Sequence, residues 1–250
     1  MGIMPRNKQT KTNSDYSGIE ELFDAEQGLE FYSKDLVNKI FHGFELSNNS
    51  KKDITVVEFG AGTGCLAELM QIEHGITPIC VEIDSNLVKV LMAKGFLTLE
   101  SLKEMKAPVS FIYTSNVLEH IEEDLLALQD IYRSLKVGGM LAIYVPALPM
   151  LYSDHDEKIG HVRRYRRKEL IQKVSQVGFT VKSCFYNDCV GVLGALVIKV
   201  FGWKSKFGIG SRNSLEFYDT RIYPISRLMD RVIFSKLIGK NLFLFAIKKY

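Results

Sequence analysis

The amino-acid sequence predicts an α/β fold with a mostly parallel sheet and an antiparallel final strand. Short apolar runs alternate with amphipathic segments between residues 54 and 186, which is the pattern of buried parallel strands joined by helical crossovers. Glycine, proline and polar residues bound these runs, and a further apolar run at 241–250 follows a long basic segment. We expect this further run to lie inside the sheet and to pair antiparallel. At 250 residues the chain has the length of one such domain.

Seven apolar runs account for the predicted strands. In chain order they are ITVVEF, TPICVEI, FLTL, VSFIYTS, MLAIYVP, FTVKSCFY and NLFLFAIKKY. Segments with a helical spacing of apolar residues precede or separate the strands. They are IEELFDAEQGLEFYSKDLVNKIFHGF, CLAELMQIEHG, SNLVKVLMAKG, EDLLALQDIYRSLKVGG and RKELIQKVSQVG. This order predicts helices on both faces of the sheet.

The regions outside this alternation define the domain organisation. Residues 1–17 are polar and basic without an apolar segment, which predicts a flexible N-terminal arm. Residues 18–250 are expected to form a single domain. Its core is predicted at about 30–185 plus 241–250, and a basic cap or insertion at about 187–240.

Charge is distributed unevenly along the chain. The net charge is +3, but residues 1–157 hold 13 Lys and Arg against 24 Asp and Glu, whereas residues 158–250 hold 19 against 5. This asymmetry favours an anionic partner for the C-terminal part. The alternative is a set of solvated helix faces whose charges happen to segregate.

Two features of the composition bear on location. No apolar run reaches the roughly 18 residues that a membrane-spanning helix requires. Cys65, Cys80, Cys184 and Cys189 form no CxxC pair, which disfavours disulfides and zinc. We therefore expect a cytoplasmic protein, with peripheral contact to the inner membrane face as an extension of that expectation.

Three alternating glycines, Gly60, Gly62 and Gly64, follow the first predicted strand and precede a helix. Glycine tolerates positive φ and lets a ligand approach the backbone closely. The spacing disfavours NAD, because the third glycine comes one residue earlier than in the G-x-G-x-x-G of dinucleotide-binding folds. No Gly-Lys-Ser/Thr follows, so a nucleotide-binding P-loop is also disfavoured.

The run Glu58-Phe-Gly60-Ala-Gly62-Thr-Gly64 resembles the E-x-G-x-G-x-G signature of class I S-adenosylmethionine-dependent methyltransferases, which have a Rossmann-like fold. The resemblance implies S-adenosylmethionine as cofactor, lying against the glycine loop. Glu82 ends the second strand, where the family's acidic residue accepts hydrogen bonds from both ribose hydroxyls. Asp84 either shares this contact or caps the following helix.

A second block of sequence carries the same resemblance. The stretch FIYTSNVLEHIEEDLLALQDIYRSLKVGGMLAIYVP is similar to the family's fourth strand, next helix and fifth strand. NVLEH and GHVRRY are similar to blocks of a bacterial subgroup related to ubiquinone-biosynthesis O-methyltransferases. By resemblance, residues 116–118 line the methionine end of the cofactor and the loop LESLKE faces the adenine. The predicted cofactor-binding residues are Glu58, Gly60, Ala61, Gly62, Gly64, Glu82, Ile83, Asn116, Val117 and Leu118.

Residues 146–170, which follow the fifth strand, are expected to meet the acceptor at the carboxyl edge of the sheet. His161 is the predicted general base, because imidazole titrates near neutral pH; otherwise it braces the next helix. Tyr165 either orients the acceptor or packs, and His120 is predicted to line the methyl-donor pocket. The arginines at 163, 164, 166 and 167 either clamp an acidic group of the acceptor or form a solvated cluster.

A metal site is the alternative reading of the fourth-strand block. Ubiquinone-pathway O-methyltransferases and small-RNA 2′-O-methyltransferases carry E-x-x-E-H and bind a divalent metal, whereas this chain has Asn116-Val-Leu-Glu119-His120. Because one carboxylate is missing, the sequence predicts no metal. In the alternative, His155 or His161 is the distant ligand.

The sequence therefore predicts a methyltransferase acting on O or N of a small-molecule acceptor, anionic or lipid-linked. The basic C-terminal region, with the Gly/apolar run at 189–203, suggests peripheral membrane contact. An RNA methyltransferase is one alternative, but the fourth strand ends in TSNVLEH instead of Asn/Asp-Pro-Pro-Tyr/Phe, so nucleic acid is not expected. A non-catalytic regulatory protein that retains the cofactor fold is another. The sequence leaves the oligomeric state open.

Overall fold

The computed structural model describes residues 28–45, 54–201 and 212–249. The predicted arm at 1–17 and the first part of the predicted N-terminal helix lie outside these ranges. The strands are β1 Val56–Phe59, β2 Ile79–Val81, β3 Thr98–Leu99, β4 Val109–Ser115, β5 Leu135–Pro146, β6 Phe179–Asn187 and β7 Asn241–Lys248.

Helices precede β1 and separate the strands up to β6, except that a 3-10 turn alone lies between β3 and β4. They are α1 Glu30–Glu45, α2 Cys65–His74, α3 Ser85–Ala93, α4 Asp124–Ser134, α5 Asp154–Lys158, α6 Arg167–Val177, α7 Gly191–Phe201, α8 Arg212–Phe217, α9 Tyr223–Met229 and α10 Ser235–Leu237. Short 3-10 turns at Leu102–Glu104, Leu118–His120 and Pro149–Leu151 lie between these elements. α6 ends at Gly178 in the left-handed conformation, as its sequence predicts.

The seven strands form one sheet in the order β3-β2-β1-β4-β5-β7-β6. β1 to β5 pair in parallel, and β7 lies between β5 and β6, antiparallel to both. The predicted α/β class, the parallel majority and the antiparallel final strand are therefore confirmed. β5 starts earlier than the run MLAIYVP, because Leu135 already pairs with Val109 before the register shifts.

Side chains that alternate along the central strands form two hydrophobic cores, one on each face of the sheet. On β5, Leu141 and Ile143 face the core that α4 and α6 cover, and Ala142 and Tyr144 face the other core. α1 covers this second core with buried Leu36, Val37, Ile40 and Phe44. Helices on both faces are thus confirmed, and the carboxyl ends of the parallel strands are left to form a site.

The predicted insertion at about 187–240 contains α7 to α10 within the described ranges. Asp219, in the π-helical turn between α8 and α9, accepts hydrogen bonds from the backbone N–H groups of Phe31 and Tyr32 at 2.7 and 2.8 Å. A carboxylate at the N-terminus of α1 stabilises that helix and ties the insertion to it. That the insertion caps the acceptor stays a prediction.

No helix among the described residues combines the length and the hydrophobicity that crossing a membrane would need.

Candidate cofactor and acceptor site

The glycine loop connects β1 to α2 at the carboxyl end of the sheet. Gly60, Gly62 and Gly64 have φ angles of 75, 57 and 85°, a region that favours glycine. A Cβ added at Gly60 would lie 2.3 Å from Cγ2 of Val117, which follows β4. The loop conformation and its close contact with the neighbouring strand end therefore both require glycine.

Glu82 is fixed directly beside this loop. Its Oε2 accepts a hydrogen bond from Gly62 N at 2.8 Å, and its Oε1 accepts from the N–H groups of Ile83 and Asp84 at 2.8 and 3.0 Å. Only 8% of Glu82 is exposed, whereas Ile83 is 72% exposed. The carboxylate thus lies where the ribose contact is predicted, and an apolar side chain stands open next to it. The ribose contact itself stays a prediction.

Asp84 caps α3. Its Oδ1 accepts hydrogen bonds from the N–H groups of Asn86 and Leu87 at 2.8 and 3.2 Å, as an N-cap side chain does. Of the two roles that the sequence allowed for Asp84, the structure shows the helix cap.

Glu58, the first residue of the E-x-G-x-G-x-G signature, lies within β1 and is buried. Its Oε2 accepts a hydrogen bond from the Tyr113 hydroxyl at 3.0 Å. Ala61, in the loop above, is buried as well. This arrangement favours a supporting role for both residues beneath the glycine loop.

The end of β4 completes the predicted cofactor site. Asn116 is exposed in a left-handed conformation with φ 53°, and its N–H donates to Tyr144 O at 2.8 Å. Val117 contacts Gly60, and Leu118 is buried in the turn Leu118–His120. The structure therefore brings the ends of β1, β2 and β4 together, as the resemblance implied.

Asp156 organises the segment predicted to meet the acceptor. This fully buried carboxylate accepts hydrogen bonds from Ser153 N at 2.9 Å and from Arg164 Nε at 2.8 Å. Its Oδ1 also lies 2.9 Å from Nδ1 of His161. Burial opposes ionisation, but the hydrogen bonds from His161 and the charge of Arg164 hold the pKa of Asp156 well below its usual range. The segment is thus built around one ionised acid.

Glu119 lies on the other side of His161. It is fully buried, and neither carboxylate oxygen accepts a hydrogen bond from another described residue. Oε1 lies 3.7 Å from His161 Nε2, which is too long for a hydrogen bond. Burial raises the pKa of Glu119 to about 8. A carboxylate with so few partners inside a protein indicates a site that gains a ligand or a proton.

His120 also lies next to His161. Its ring lies 4.6 Å from that of His161, nearly perpendicular to it. Burial, together with the nearby His161, lowers the pKa of His120 to about 4, so this imidazole is neutral at pH 7. His120 therefore lies beside the predicted base, one turn beyond the residues predicted to line the methionine end.

The donor atoms of Glu119, His120 and His161 all lie within 4.8 Å of one another. Two imidazoles and a carboxylate are ligands that suit a divalent transition metal, and the unpartnered Glu119 fits that charge. The side-chain amide of Asn116 donates a hydrogen bond to Ser115 Oγ at 3.3 Å. The sequence predicted no metal and gave as the alternative a site at Glu119 and His120 with His155 or His161 as the distant ligand. The geometry is compatible with that alternative.

Tyr165 is buried beneath the site. Its hydroxyl lies 3.1 Å from Leu118 O and 2.8 Å from Asp124 Oδ2. Burial and the adjacent Asp124 charge raise the pKa of Tyr165 above its usual value. Of the two roles that the sequence allowed, these contacts favour packing, which holds the turn Leu118–His120 in place.

The four arginines separate into two pairs. Arg163 forms an ion pair with Asp124 at 2.8 Å and Arg164 binds Asp156, so both are engaged inside the fold. Arg166 and Arg167 line a cavity on the other side of the segment. The idea of one four-arginine clamp is therefore not supported by the structure.

Two features of this site were missed by the sequence analysis: the pairing of Asp156 with His161 and the isolation of Glu119. Asp156 lies five residues before His161, and an acid this close to a candidate base was an available signal. The burial of Glu119 depends on packing between segments far apart in the chain. No local pattern indicates it.

Comparison with known proteins agrees with the geometry. The family described as "Methyltransferase domain" matches residues 29–183, and among curated proteins none matches significantly. A SAM-dependent methyltransferase from Archaeoglobus fulgidus is similar in structure, with a TM-score of 0.56 and 20% identity over 86% of this chain and 92% of that one.

Two further solved structures share the fold. Phosphoethanolamine N-methyltransferase 2 from Haemonchus contortus, in complex with S-adenosyl-L-methionine, has a TM-score of 0.58 and 14% identity over 98% of this chain and 62% of that one. A possible histamine N-methyltransferase from Thermotoga maritima has a TM-score of 0.53 and 16% identity over 94% of this chain and 100% of that one. With the glycine loop, Glu82 and the strand order, these matches show that the chain belongs to the methyltransferase domain family and is a class I enzyme that uses S-adenosylmethionine.

Proposed function

We propose that the enzyme transfers the methyl group to an oxygen or nitrogen atom of a small-molecule acceptor that is anionic or lipid-linked. The observation that supports this proposal is the Asp156–His161 pair beside the turn Leu118–His120, which follows Asn116 and Val117 at the end of β4. The backbone joins the two parts directly, since Val162 N donates to Glu119 O at 2.8 Å. These contacts support the proposal that His161 acts as a base beside the methyl donor.

When bound, S-adenosylmethionine would supply an electrophilic methyl group whose leaving group, a neutral thioether sulfur, takes the electrons of the broken S–C bond. The chain orients the two reactants, excludes water and takes the acceptor proton. In the proposed mechanism His161 keeps its proton on Nδ1 and donates a hydrogen bond from it to Asp156, so that the lone pair of Nε2 faces the site. Nε2 accepts the proton of the acceptor, and the ionised Asp156 stabilises the resulting imidazolium, as in other acid–histidine pairs.

Glu119, His120 and His161 would hold a divalent metal if one binds. Such an ion would polarise an acceptor oxygen and lower the pKa of its hydroxyl. His161 would then act as a ligand instead of a base. The two versions of the site therefore predict different effects of metal removal on activity.

The charge of the C-terminal part supports the proposed acceptor class. Residues 158–250 carry 19 cations against 5 acids, and such an excess attracts acidic molecules and anionic membranes. Peripheral membrane contact is part of the proposal because it would bring a lipid-linked acceptor to the enzyme.

The test uses methyl-labelled S-adenosylmethionine with fractions of a cell extract. We expect label in a small or lipid-soluble product with the natural enzyme, and loss of that label with His161→Ala although the variant still binds the cofactor. Label that ribonuclease removes would show an RNA methyltransferase instead. If the protein binds the cofactor and labels no fraction, the non-catalytic alternative is correct.

A further inference from the structure

α7 presents apolar side chains on two opposite faces. Val192 and Ala195 are buried against Leu151. On the other face Leu193 and Val200 are 64 and 70% exposed, and Leu196 and Val197, also exposed, lie between them at helical spacing. Lys199 is the single charged residue of the helix. A helix that is apolar all round normally has both faces covered, and no described residue covers the outer one.

The inner face of α7 contacts the loop after β5. Lys199 Nζ donates a hydrogen bond to Met150 O at 2.5 Å, which fixes the helix to this loop. The Met150 side chain is 69% exposed. Met150 and α7 are therefore neighbours, and we refer to the exposed side chains of α7 together with Met150 as the apolar surface.

A basic cavity adjoins this surface. It has a volume of about 480 Å³, and Met150 is part of its wall. The other lining residues are Leu148, Pro149, Arg166, Arg167, Lys168, Tyr186, Lys236 and Leu237. Four of the nine are cations and none is an acid. Leu237, which is 65% exposed, extends the apolar surface on the far side of the cavity.

The positive charge of the cavity is not neutralised by the fold. Within residues 28–45, 54–201 and 212–249, no carboxylate forms an ion pair with Arg166, Arg167, Lys168 or Lys236. Arg167 donates to Lys236 O at 3.3 Å, which joins the two sides of the cavity through a neutral acceptor. The preceding arginines, by contrast, are paired with buried acids. Free cations in a concave site attract an anion.

We propose that the outer face of α7, Met150 and the basic cavity dock on an anionic phospholipid bilayer, with a lipid phosphate in the cavity. The arrangement of the surface supports this occupant. Its exposed apolar side chains lie next to cations that form no ion pair, just as the acyl chains of a phospholipid lie next to its phosphate. RNA would use the cations and leave the apolar face exposed, and a second copy would bring the same charge. The inference rests on the proposed function, which includes membrane contact, and deepens it by naming the surface that binds the membrane.

Vesicle sedimentation tests the docking without any methyl transfer, so this inference and the proposed function can fail separately. The full-length protein is mixed with vesicles of phosphatidylcholine alone or of phosphatidylcholine and phosphatidylglycerol in equal amounts. We expect retention on the anionic vesicles only, and loss of retention at high salt. Equal retention on both vesicle types, or on neither, overturns the inference.

Two triple variants locate the surface. Arg166→Gln/Lys168→Gln/Lys236→Gln should weaken binding to anionic vesicles roughly a hundredfold, since each cation near such a surface contributes about fivefold. Leu193→Ser/Val197→Ser/Val200→Ser should weaken it by a similar factor, through lost burial of apolar side chains. Both variants should bind S-adenosylmethionine normally, because neither touches the glycine loop; this measurement also shows that they fold.

The matched controls remove three positive charges or three exposed apolar side chains at other places on the protein. They are Lys89→Gln/Lys106→Gln/Lys136→Gln and Ile72→Ser/Leu126→Ser/Val137→Ser, all at exposed positions. Vesicle binding that falls as far in the controls as in the test variants overturns the assignment of the surface. A dimer that the α7 variant abolishes, with vesicle binding unchanged, would assign the face to a second copy.

Discussion

Nδ1 of His161 lies 2.9 Å from Oδ1 of Asp156, and this contact fixes which imidazole nitrogen faces the site. If His161 is the base, His161→Ala should lower turnover by about 10²- to 10⁴-fold. Its affinity for S-adenosylmethionine should stay unchanged, since the residue lies outside the glycine loop. Steady-state kinetics with the acceptor, together with calorimetry of cofactor binding, checks both expectations. Full activity in the variant removes His161 as the base.

Asp156→Asn should destabilise the fold by about 3–5 kcal/mol at neutral pH, because it leaves the Arg164 charge buried without its partner. The folded-state pKa of Asp156 is depressed, so its stabilisation is present at neutral pH and is lost as pH falls through that value. The difference in unfolding free energy between wild type and variant should therefore disappear at acidic pH. Urea denaturation at several pH values measures it. Asp154→Asn, at an exposed neighbour, is the control and should change stability by less than about 1 kcal/mol.

Glu119→Gln should remove a pH dependence of stability. The folded-state pKa of about 8 lies above the usual value of a carboxyl group, so the unfolded chain releases this proton first as pH rises. The stability of the wild type should therefore fall by up to about 1.4 kcal/mol per pH unit between pH 5 and 8, from this group alone. Thermal denaturation of chelator-treated protein measures the slope. The same slope in wild type and variant would contradict the prediction.

Metal removal separates the two versions of the acceptor site. If Glu119, His120 and His161 bind a divalent ion, dialysis against a chelator should lower the unfolding temperature and abolish turnover, and adding metal should restore both. If they bind none, chelation should change neither quantity. His120→Ala is the informative variant, because it removes one donor and keeps the predicted base.

Glu82→Ala should weaken S-adenosylmethionine binding by at least tenfold. The substitution removes the carboxylate that is expected to accept hydrogen bonds from the ribose hydroxyls. It also removes the hydrogen bond that Gly62 N donates to this carboxylate. Glu73→Gln, at an exposed position on α2, is the control and should bind normally. Calorimetry measures both affinities, and normal binding by Glu82→Ala would exclude the predicted ribose contact.

Gly60→Ala should destabilise the protein by about 1–3 kcal/mol, because the new Cβ would lie 2.3 Å from Val117 Cγ2. Gly138→Ala is a matched control: its φ of 77° resembles the 75° of Gly60, but nothing lies within 4 Å of its Cβ. Because backbone strain is similar in the two variants, the difference in their stability measures the cost of the clash alone. Val117→Ala in the Gly60→Ala background should recover part of the loss, and equal stability of the two single variants would contradict the packing argument.

Local patterns were sufficient to predict most of the fold. VSFIYTS gives β4 without change of bounds, since an apolar run between polar residues has few other conformations available in this context. β5 was predicted too short, because LKVGG contains two glycines that indicate a turn, although Leu135 pairs with Val109. Pairing between distant segments decided that boundary.

The candidate site divides in the same way. The glycine loop and Glu82 follow strand ends in fixed order, so their proximity could be predicted from the sequence. The pairing of His161 with Asp156 is local and could have been predicted, whereas the relation of His161 to Glu119 depends on how residues 154–162 pack against the turn Leu118–His120. Tyr165 could not be assigned for the same reason: its role depends on Asp124, 41 residues away in the chain.

The place of β7 between β5 and β6 affects how the chain is assembled during translation. β6 leaves the ribosome long before the strand that joins it to the sheet, because α7 to α10 are synthesised in between. Throughout that interval β5 and β6 each expose an unsatisfied backbone edge, the kind that recruits other nascent chains. We therefore expect this protein to depend on chaperones late in its synthesis, and substitutions within β7 to cause aggregation more readily than comparable ones in β2.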